Sequence, residues 1–479
     1  MLFRQTMLFL PAQLLPALCQ FGQLIVWSHL VRPEVIGVVA LFTSIQEFLN
    51  LAFIGFWTQY TTRYSTKLRE TPGGAEKLRY ASTAVIFGSL LIQTSLALGI
   101  YVSTIDHGMD LPMALALIGL VGGRAINLFQ GELARARQDV LGYSFAVMAG
   151  PVFGFLVGLV LIWQFGGSAL LIFTGFAVAQ IGGVLVGMWR DPRWIGIGKP
   201  DWATIRHAIS YGFPLVVTYG LAWVSQNASR IAVTYFMGLA AAGIYSLGMG
   251  LGYRASMVST MMVNAAAFPI AVKLANAGNL KGAQKQLGDN GALLFGVLAA
   301  SIVGLAVLSE DVFHLMVAKE VRGPVLPVML WSLLAGSLIG YRQHFLNQFF
   351  LLSGKTRPIA VVSTIEAVVA VVLAIAVVPI GGITGGAIAL TATSAISLVV
   401  TFVMAGKVGR HVRWDIHGKI VIATLVMVAA IWLTPPASNI VHLSLRIAVG
   451  GIAYLGTLAV LFSSVLLPKV NRWRAARSR

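Results

Sequence analysis

The most regular feature of this chain is an alternation of long apolar runs with short polar, mostly basic stretches. A helix needs about 20 apolar residues to cross the hydrocarbon core of a bilayer, so each run predicts one membrane-spanning helix. The alternating pattern of membrane β-strands does not occur in the sequence. We therefore expect an all-α integral membrane protein with about fourteen transmembrane helices. These helices are predicted near residues 6–30, 37–61, 81–103, 111–131, 143–164, 169–189, 208–236, 243–270, 289–309, 324–350, 358–379, 385–405, 420–434 and 442–467.

The composition supports this prediction. Hydrophobic residues make up 57% of the 479 residues and charged residues only 10%, whereas soluble domains contain about 25% charged residues. No polar stretch is long enough for a separate soluble domain. The single cysteine, Cys19, excludes a disulfide within the chain, and its apolar surroundings predict a buried packing thiol.

The basic residues are distributed unevenly between the two sides of the predicted bundle. Of the 34 lysines and arginines, 26 fall on one set of loops and ends, four on the opposite set and four inside the spans. Because cytoplasmic loops are enriched in Lys and Arg, both termini are predicted to be cytoplasmic. The net charge of +18 then follows from topology, and no nucleic-acid partner is needed to explain it.

Two parts of the chain resemble each other and indicate an internal repeat. NLFQGELARAR at 127–137 aligns without gaps with NQFFLLSGKTR at 347–357. The same register places Arg124 opposite His344. The fourth predicted helix therefore corresponds to the tenth.

A second match lies at the starts of two other helices, where Gly37 in GVVAL corresponds to Gly243 in GIYSL. The offset of six helices is even, so both halves have the same orientation. This predicts a parallel repeat related by an axis along the membrane normal. The predicted domains are an N-terminal six-helix lobe at 1–190, a cytoplasmic linker at 191–207, a second six-helix lobe at 208–406, helices 13 and 14 within 407–468, and a basic cytoplasmic tail at 469–479.

Five basic side chains fall inside the apolar runs. An arginine at the bilayer centre costs roughly 2.5–3.5 kcal/mol on insertion scales, so it normally faces a partner or a water-filled cavity. Guanidinium groups match phosphate oxygens in a bidentate way, so several of them together predict a cavity for an anionic headgroup. The alternative is structural, in which each cation caps a helix, reaches the interface or pairs with a carboxylate. The candidates are Arg124, Arg230, Arg254, Arg342 and His344.

Two carboxylates, Glu47 and Glu366, also lie inside predicted spans. A carboxylate in a low-dielectric site can bind and release a proton, which favours a role in proton or sodium coupling. The alternative is that each is a counter-ion for one of the intramembrane arginines. The sequence leaves both interpretations open.

Three further segments carry recognisable motifs. The first is EVIGVVALFTSIQEFLNLAFIGFWTQYTTRY at 34–64, with a glycine at the start of a helix and a polar, basic end. The second, at 210–248, has Pro214, Arg230, Gly243 and Tyr245, and the third, at 351–395, has Pro379, Gly382, Gly385 and Gly386.

In this order and spacing, the three segments resemble the polysaccharide-biosynthesis or oligosaccharide flippase family of the MOP (multidrug/oligosaccharidyl-lipid/polysaccharide) superfamily. Ser229 departs from the family pattern, which has an acidic residue before the arginine. The resemblance implies two lobes that open alternately to the two sides and move undecaprenyl-pyrophosphate-linked oligosaccharide to the periplasmic leaflet. It also implies a role in O-antigen, capsule or exopolysaccharide assembly. Membrane lipids and the pathway's polysaccharide polymerase and glycosyltransferases would be its partners.

Three other functions remain as alternatives. An ion-driven multidrug efflux transporter would carry more acidic than basic groups in its cavity, and a lipid II flippase would serve peptidoglycan synthesis. A membrane glycosyltransferase or polymerase would need larger outer loops and catalytic carboxylates, so a transporter is expected and not an enzyme.

No cofactor or metal is expected either. Gly354-Lys355-Thr356 is preceded by Phe349 at the position where a nucleotide-binding loop requires glycine. The histidines, cysteine and acidic residues do not occur at metal-ligand spacings. Several tryptophans near predicted helix ends are expected to lie at the membrane interface, namely Trp27, Trp57, Trp163, Trp189 and Trp432.

Overall fold

The computed structural model describes residues 2–105, 109–354, 357–406 and 411–463. Lys355 and Thr356 of the Gly-Lys-Thr sequence and the basic tail 469–479 lie outside the described residues.

The described residues form helices joined by short turns. We number the helices in chain order and assign separate numbers to the two parts of a helix that is interrupted by a non-helical glycine. They are α1 (Leu2–Leu30), α2 (Pro33–Glu70), α3 (Gly74–Thr104), α4 (Leu111–Ala136), α5 (Val140–Phe165), α6 (Ala169–Arg190), α7 (202–237), α8 (239–276), α9 (Leu280–Val307), α10 (Ser309–Met316), α11 (Lys319–Leu352), α12 (357–381), α13 (383–405), α14 (Trp414–Trp432) and α15 (Ile440–Leu461).

The predicted fold class is confirmed. Eleven segments of the described chain are long and apolar enough to cross a membrane, and two of these each contain a pair of predicted helices. The stretch Leu14–Leu30 of α1 adds a shorter apolar helix. The short α10 was not predicted, because its first turn carries Glu310 and Asp311 and gives no apolar run.

Two glycines interrupt the paired helices. Gly238 separates α7 from α8 with φ 83° and ψ 179°, and Gly382 separates α12 from α13 with φ 60° and ψ −146°. Both φ values lie in the left-handed region, which a residue with a Cβ adopts only with strain. The glycine turn predicted after Pro379 is therefore present as a single-residue break.

Side-chain caps fix where several helices begin. Asp110 accepts a hydrogen bond from the Met113 amide at 2.9 Å, and Asn279 accepts one from the Gly282 amide at 2.8 Å. Each cap satisfies an amide that the first helical turn leaves unpaired. Asp139, Ser168 and Asn439 cap α5, α6 and α15 in the same way.

The interfacial assignment is wrong for two of the five tryptophans. Trp57 is fully buried and Trp27 is 5% exposed, whereas the other three are at least 74% exposed. Trp57 lies inside the bundle because α2 continues to Glu70, well beyond the predicted end at 61. Its indole nitrogen donates to the Ser82 hydroxyl of α3 at 3.3 Å.

The chain forms two compact units. The first contains the residues up to Leu247 together with Ser363–Leu390, and the second contains Gly248–Val362 together with the residues from Thr391 onward. The division into lobes at 1–190 and 208–406 remains a prediction.

Within the first unit, the repeat-related glycines Gly37 and Gly243 meet in a symmetric contact. A Cβ at Gly37 would lie 2.0 Å from the Leu239 carbonyl oxygen, and a Cβ at Gly243 would lie 1.8 Å from the Pro33 carbonyl oxygen. Each carbonyl belongs to the residue four positions before the opposite glycine. The contact is therefore reciprocal, and the internal repeat itself remains a prediction.

Candidate functional site

The first unit brings one predicted cation and one predicted carboxylate together. Arg124 of α4 donates from Nη2 to Glu47 Oε1 of α2 at 2.9 Å. The Glu47 side chain is 52% exposed and that of Arg124 is 28% exposed. The pair is therefore accessible from outside the packed core, and Glu47 is a counter-ion of an intramembrane arginine in this conformation.

A second arginine of this unit, Arg230 of α7, donates hydrogen bonds to two neutral side chains. Its Nη1 donates to the Ser44 hydroxyl of α2 and to Asn227 Oδ1, the latter at 2.9 Å. The Trp223 indole nitrogen donates to the Ser44 carbonyl oxygen at 3.1 Å and ties the same two helices together.

Ser44 and Glu47 are three residues apart on α2, so they lie on neighbouring positions of one helix face. The guanidinium of Arg230 is therefore placed close to the Glu47–Arg124 pair. We call these five side chains the α2 polar cluster: Ser44, Glu47, Arg124, Asn227 and Arg230.

The remaining candidates occupy other positions. Glu366 of α12 belongs to the first unit and is 5% exposed. Arg254 of α8, Arg342 and His344 belong to the second unit. Arg342 is 3% exposed, whereas Arg254 and His344 are partly buried.

Arg342 and His344 lie in an irregular segment of α11. Residues Arg342–Leu346 form a turn of π-helix, a local widening of the helix that is frequent at functional sites. A helical pattern read from sequence assumes the α-helical period throughout, so the directions of these two side chains could not be predicted from their spacing.

The α2 polar cluster can stabilise negative charge. Two guanidinium groups offer donors only, and the arrangement holds both near one helix face. Ser44 and Asn227, which position Arg230, were not predicted from the sequence. Both side chains are neutral, and nothing in the apolar runs around them marks them as partners of an arginine. Among the described residues, no group of three or more His, Cys, Asp and Glu side chains is placed to hold a metal ion.

The linker between α6 and α7 is fixed to the first unit. Trp194 is 6% exposed and packs against Phe129 of α4, and Thr83 Oγ1 of α3 donates to the Gly196 carbonyl oxygen at 2.7 Å. Arg137 pairs with Asp191 at the start of this linker. The linker is therefore packed against α3 and α4.

A further ion pair joins the α4–α5 turn to the end of α6. Arg190 donates to both oxygens of Asp139 at 2.7 and 2.8 Å. The bidentate hydrogen bonds from Arg190 lower the pKa of Asp139 below its usual value.

Comparisons with known proteins identify related sequences and folds. Residues 2–275 match the family described as polysaccharide biosynthesis protein. The structure of the lipid II flippase MurJ in an inward closed conformation superposes with a TM-score of 0.76 and 12% identity, covering 96% of this chain and 100% of that one. No match to a curated protein sequence was found.

Two multidrug resistance MATE family transporters of the MOP superfamily are also similar in structure. An inward-facing one has a TM-score of 0.62 at 14% identity and covers 83% of this chain and 95% of its own. An outward-facing one has a TM-score of 0.55 at 14% identity, with 85% and 94% covered. At such identities the similarity establishes the fold.

Proposed function

Because this chain belongs to the polysaccharide biosynthesis protein family and has the fold of MOP transporters, we propose that it is a lipid-linked oligosaccharide flippase. Its substrate would be an undecaprenyl-pyrophosphate-linked oligosaccharide used in O-antigen, capsule or exopolysaccharide assembly. The sugar headgroup and pyrophosphate would cross by alternating access, while the polyprenyl tail stays in the lipid.

The observation that carries this proposal is the excess of cations over carboxylates inside the spans. Four arginines lie there against two glutamates, and one of those glutamates already pairs with Arg124. A pyrophosphate offers several oxygens to such groups, and each contact is stronger in a low-dielectric site than in water. A pump for cationic compounds would need the opposite balance.

The proposed setting follows from the same family. The protein is a multi-pass membrane protein, and we place it in the bacterial inner membrane with both termini cytoplasmic. Membrane lipids surround it, and a polysaccharide polymerase and glycosyltransferases of the same pathway would be its protein partners. We expect transport without a cofactor.

Deletion of the gene, followed by lipid extraction and a surface-polysaccharide assay, tests the proposal. Loss of a surface polymer and accumulation of undecaprenyl-linked repeat units in the cytoplasmic leaflet are expected, and the accumulated lipid would identify the sugar. Normal polymer together with increased sensitivity to cationic dyes would contradict the proposal and favour multidrug efflux.

A charge-removal series tests the role of the cations in a strain that carries the chain on a plasmid. Arg124→Gln, Arg254→Gln and Arg342→Gln are each expected to reduce surface polysaccharide by about 10- to 100-fold, since one charge-assisted contact contributes about 1.5–3 kcal/mol. Arg32→Gln is the matched control, because Arg32 is exposed outside the spans. Normal polymer in all three folded variants would show that the cations do not bind the substrate.

The similarity to the lipid II flippase structure over the whole of both chains favours one second candidate, a lipid II flippase. Depletion distinguishes the two functions. Loss of a lipid II flippase stops peptidoglycan synthesis and kills the cell, whereas loss of a surface-polysaccharide flippase leaves cells viable when the pathway's first glycosyltransferase is also removed.

A further inference from the structure

Helices α2 and α3 of the first unit pack antiparallel, and two contacts fix their register to within one helical turn. The Trp57 indole nitrogen of α2 donates to the Ser82 hydroxyl of α3 at 3.3 Å, and the rings of Phe42 and Tyr101 lie 6.2 Å apart between centroids. Positions between these contacts must therefore face each other in reverse order along the two helices.

This register places four polar side chains opposite one another. Gln46 lies eleven residues before Trp57, and Gln93 lies eleven residues after Ser82. By the same step, Asn50 faces Ser89, whereas counting from the Phe42–Tyr101 contact places Asn50 opposite Gln93. Gln46 and Asn50, like Ser89 and Gln93, are four residues apart and share a helix face, so all four side chains lie within about one helical turn of each other along the α2–α3 interface.

Three of these side chains are buried deeply, and the hydrogen bonding of the group is incomplete. Gln46 is 1% exposed, Gln93 is fully buried and Ser89 is 5% exposed, whereas Asn50 is partly buried. Gln93 Nε2 donates to Ser89 Oγ at 2.8 Å, which orients the Gln93 amide and leaves its oxygen facing away from that bond. Among the described residues, no hydrogen-bond partner contacts Gln46 Oε1, Gln46 Nε2, Asn50 Oδ1 or Gln93 Oε1.

Most buried polar side-chain atoms in native proteins have a partner, so four such atoms at one level indicate a bound group. Three of the four are oxygens that only accept hydrogen bonds. An anion is excluded because these oxygens would repel it. A divalent cation would require carboxylates, and the four side chains at this level are neutral. Amide oxygens resemble the backbone carbonyls that replace the hydration shell of an alkali ion in channel filters.

We propose that the α2–α3 interface binds one alkali-metal cation, Na⁺ or K⁺, through the amide oxygens of Gln46, Asn50 and Gln93 and the Ser89 hydroxyl. The site is distinct from the α2 polar cluster, although Gln46 precedes Glu47 in the chain. The proposal does not depend on which molecule the protein transports.

Radioligand binding to the purified full-length protein in detergent tests the proposal, with ²²Na⁺ as the probe and unlabelled NaCl, KCl or choline chloride as competitors. Saturable binding of one ion per chain is expected, with competition by NaCl, KCl or both and none by choline. The competing salt identifies the preferred ion. If ²²Na⁺ binding is too weak to saturate, ⁸⁶Rb⁺ replaces it as the probe for a K⁺ site.

Gln46→Met and Gln93→Met remove one oxygen each at nearly constant volume, and each is expected to weaken binding by about tenfold. Gln180→Met is the matched control: Gln180 is a buried amide of the same unit whose side chain bonds to Asn127. Binding in this variant should equal that of the unmodified protein.

Gln46→Glu provides an independent test of the cation site if the methionine variants fold poorly. A carboxylate at this position attracts the cation, so this variant should bind ²²Na⁺ or ⁸⁶Rb⁺ more tightly than the unmodified protein. Absence of saturable binding of both ions, or equal affinities in the methionine variants and the control, would overturn the proposal and leave water as the bound group.

Discussion

At the scale of single residues, the Glu47–Arg124 pair allows a test of whether the attraction between the two charges is required for activity. If Arg124 of α4 needs a counter-ion to stay positioned against α2, then exchanging the two charges preserves an attraction that either single change destroys. Glu47→Arg and Arg124→Glu are each expected to reduce surface polysaccharide severely, because each places two like charges 2.9 Å apart in the present geometry. The double exchange should recover part of the loss.

Recovery is measured as the interaction between the two substitutions in a double-mutant cycle, using polymer amount at equal protein level. Partial recovery is compatible with substrate binding, because the exchanged pair still holds a guanidinium close to its original place. If the double exchange recovers nothing, the guanidinium must project from α4 to contact the substrate. Full recovery would instead show that only the attraction between the two positions matters, and would contradict a substrate contact by Arg124.

A second residue-scale prediction concerns the buried ion pair of the second unit. Arg446 of α15 pairs with Asp311 of α10, and their side chains are only 11% and 9% exposed. Asp311 Oδ1 also accepts the Ala437 amide at 3.1 Å, and Arg446 Nε donates to Thr434 Oγ1 at 3.0 Å. Asp311→Ala is expected to destabilise the protein by roughly 3–5 kcal/mol, because it leaves a buried guanidinium without its counter-ion.

The measurement is thermal unfolding of the purified protein in detergent. The double variant Asp311→Leu/Arg446→Met removes both charges and should be less destabilised than Asp311→Ala alone. If the two unfold at the same temperature, the cost arises from lost packing and not from the unpaired charge.

At the scale of helices, the Gly37–Gly243 contact predicts that the starts of α2 and α8 tolerate no side chain. Gly37→Ala and Gly243→Ala each place a Cβ within about 2 Å of a carbonyl oxygen of the other helix. Each substitution should therefore lower the melting temperature and reduce transport. The double variant should be less impaired than the sum of the two, since the first substitution already separates the helices.

Gly88→Ala is the matched control for this pair. Gly88 lies inside α3, and apart from its own stretch of helix no atom of the described residues lies within 4 Å of a Cβ built there. Because alanine favours helix more than glycine does, this variant is expected to be at least as stable as the unmodified protein. Strictly additive effects at Gly37 and Gly243 would contradict a shared contact.

At the scale of the whole molecule, the distribution of basic residues predicts which loops face the cytoplasm. In a Cys19→Ser background, Ser438→Cys in the α14–α15 loop should react in intact spheroplasts with a membrane-impermeant maleimide. Ala277→Cys, in the α8–α9 turn, should react only after the membrane is opened. Both positions are exposed. The opposite labelling pattern would reverse the proposed orientation.

The fold was largely predictable from sequence, whereas the candidate site was not. The spans, the glycine break at Gly382 and the resemblance to the polysaccharide-biosynthesis family are confirmed. The spans and the break could be predicted because apolar length and turn residues are local signals. The interfacial assignment of Trp57 was wrong because burial depends on what α3 presents to it. The roles of Arg124, Arg230, Arg254, Arg342, His344, Glu47 and Glu366 remain predictions.

The sequence by itself determined that this protein spans the membrane many times. In lipid, the backbone N–H and C=O groups of each long apolar run must form hydrogen bonds within the run, which only a helix allows. It also indicated a repeat and a basic excess within the spans. Only the tertiary structure decided which charges pair, because Arg124 and Glu47 are 77 residues apart and meet through the rotation and packing of two helices. The same packing brings Gly37 against Gly243 and Trp57 against Ser82, and neither contact follows from the hydrophobic period of any single helix.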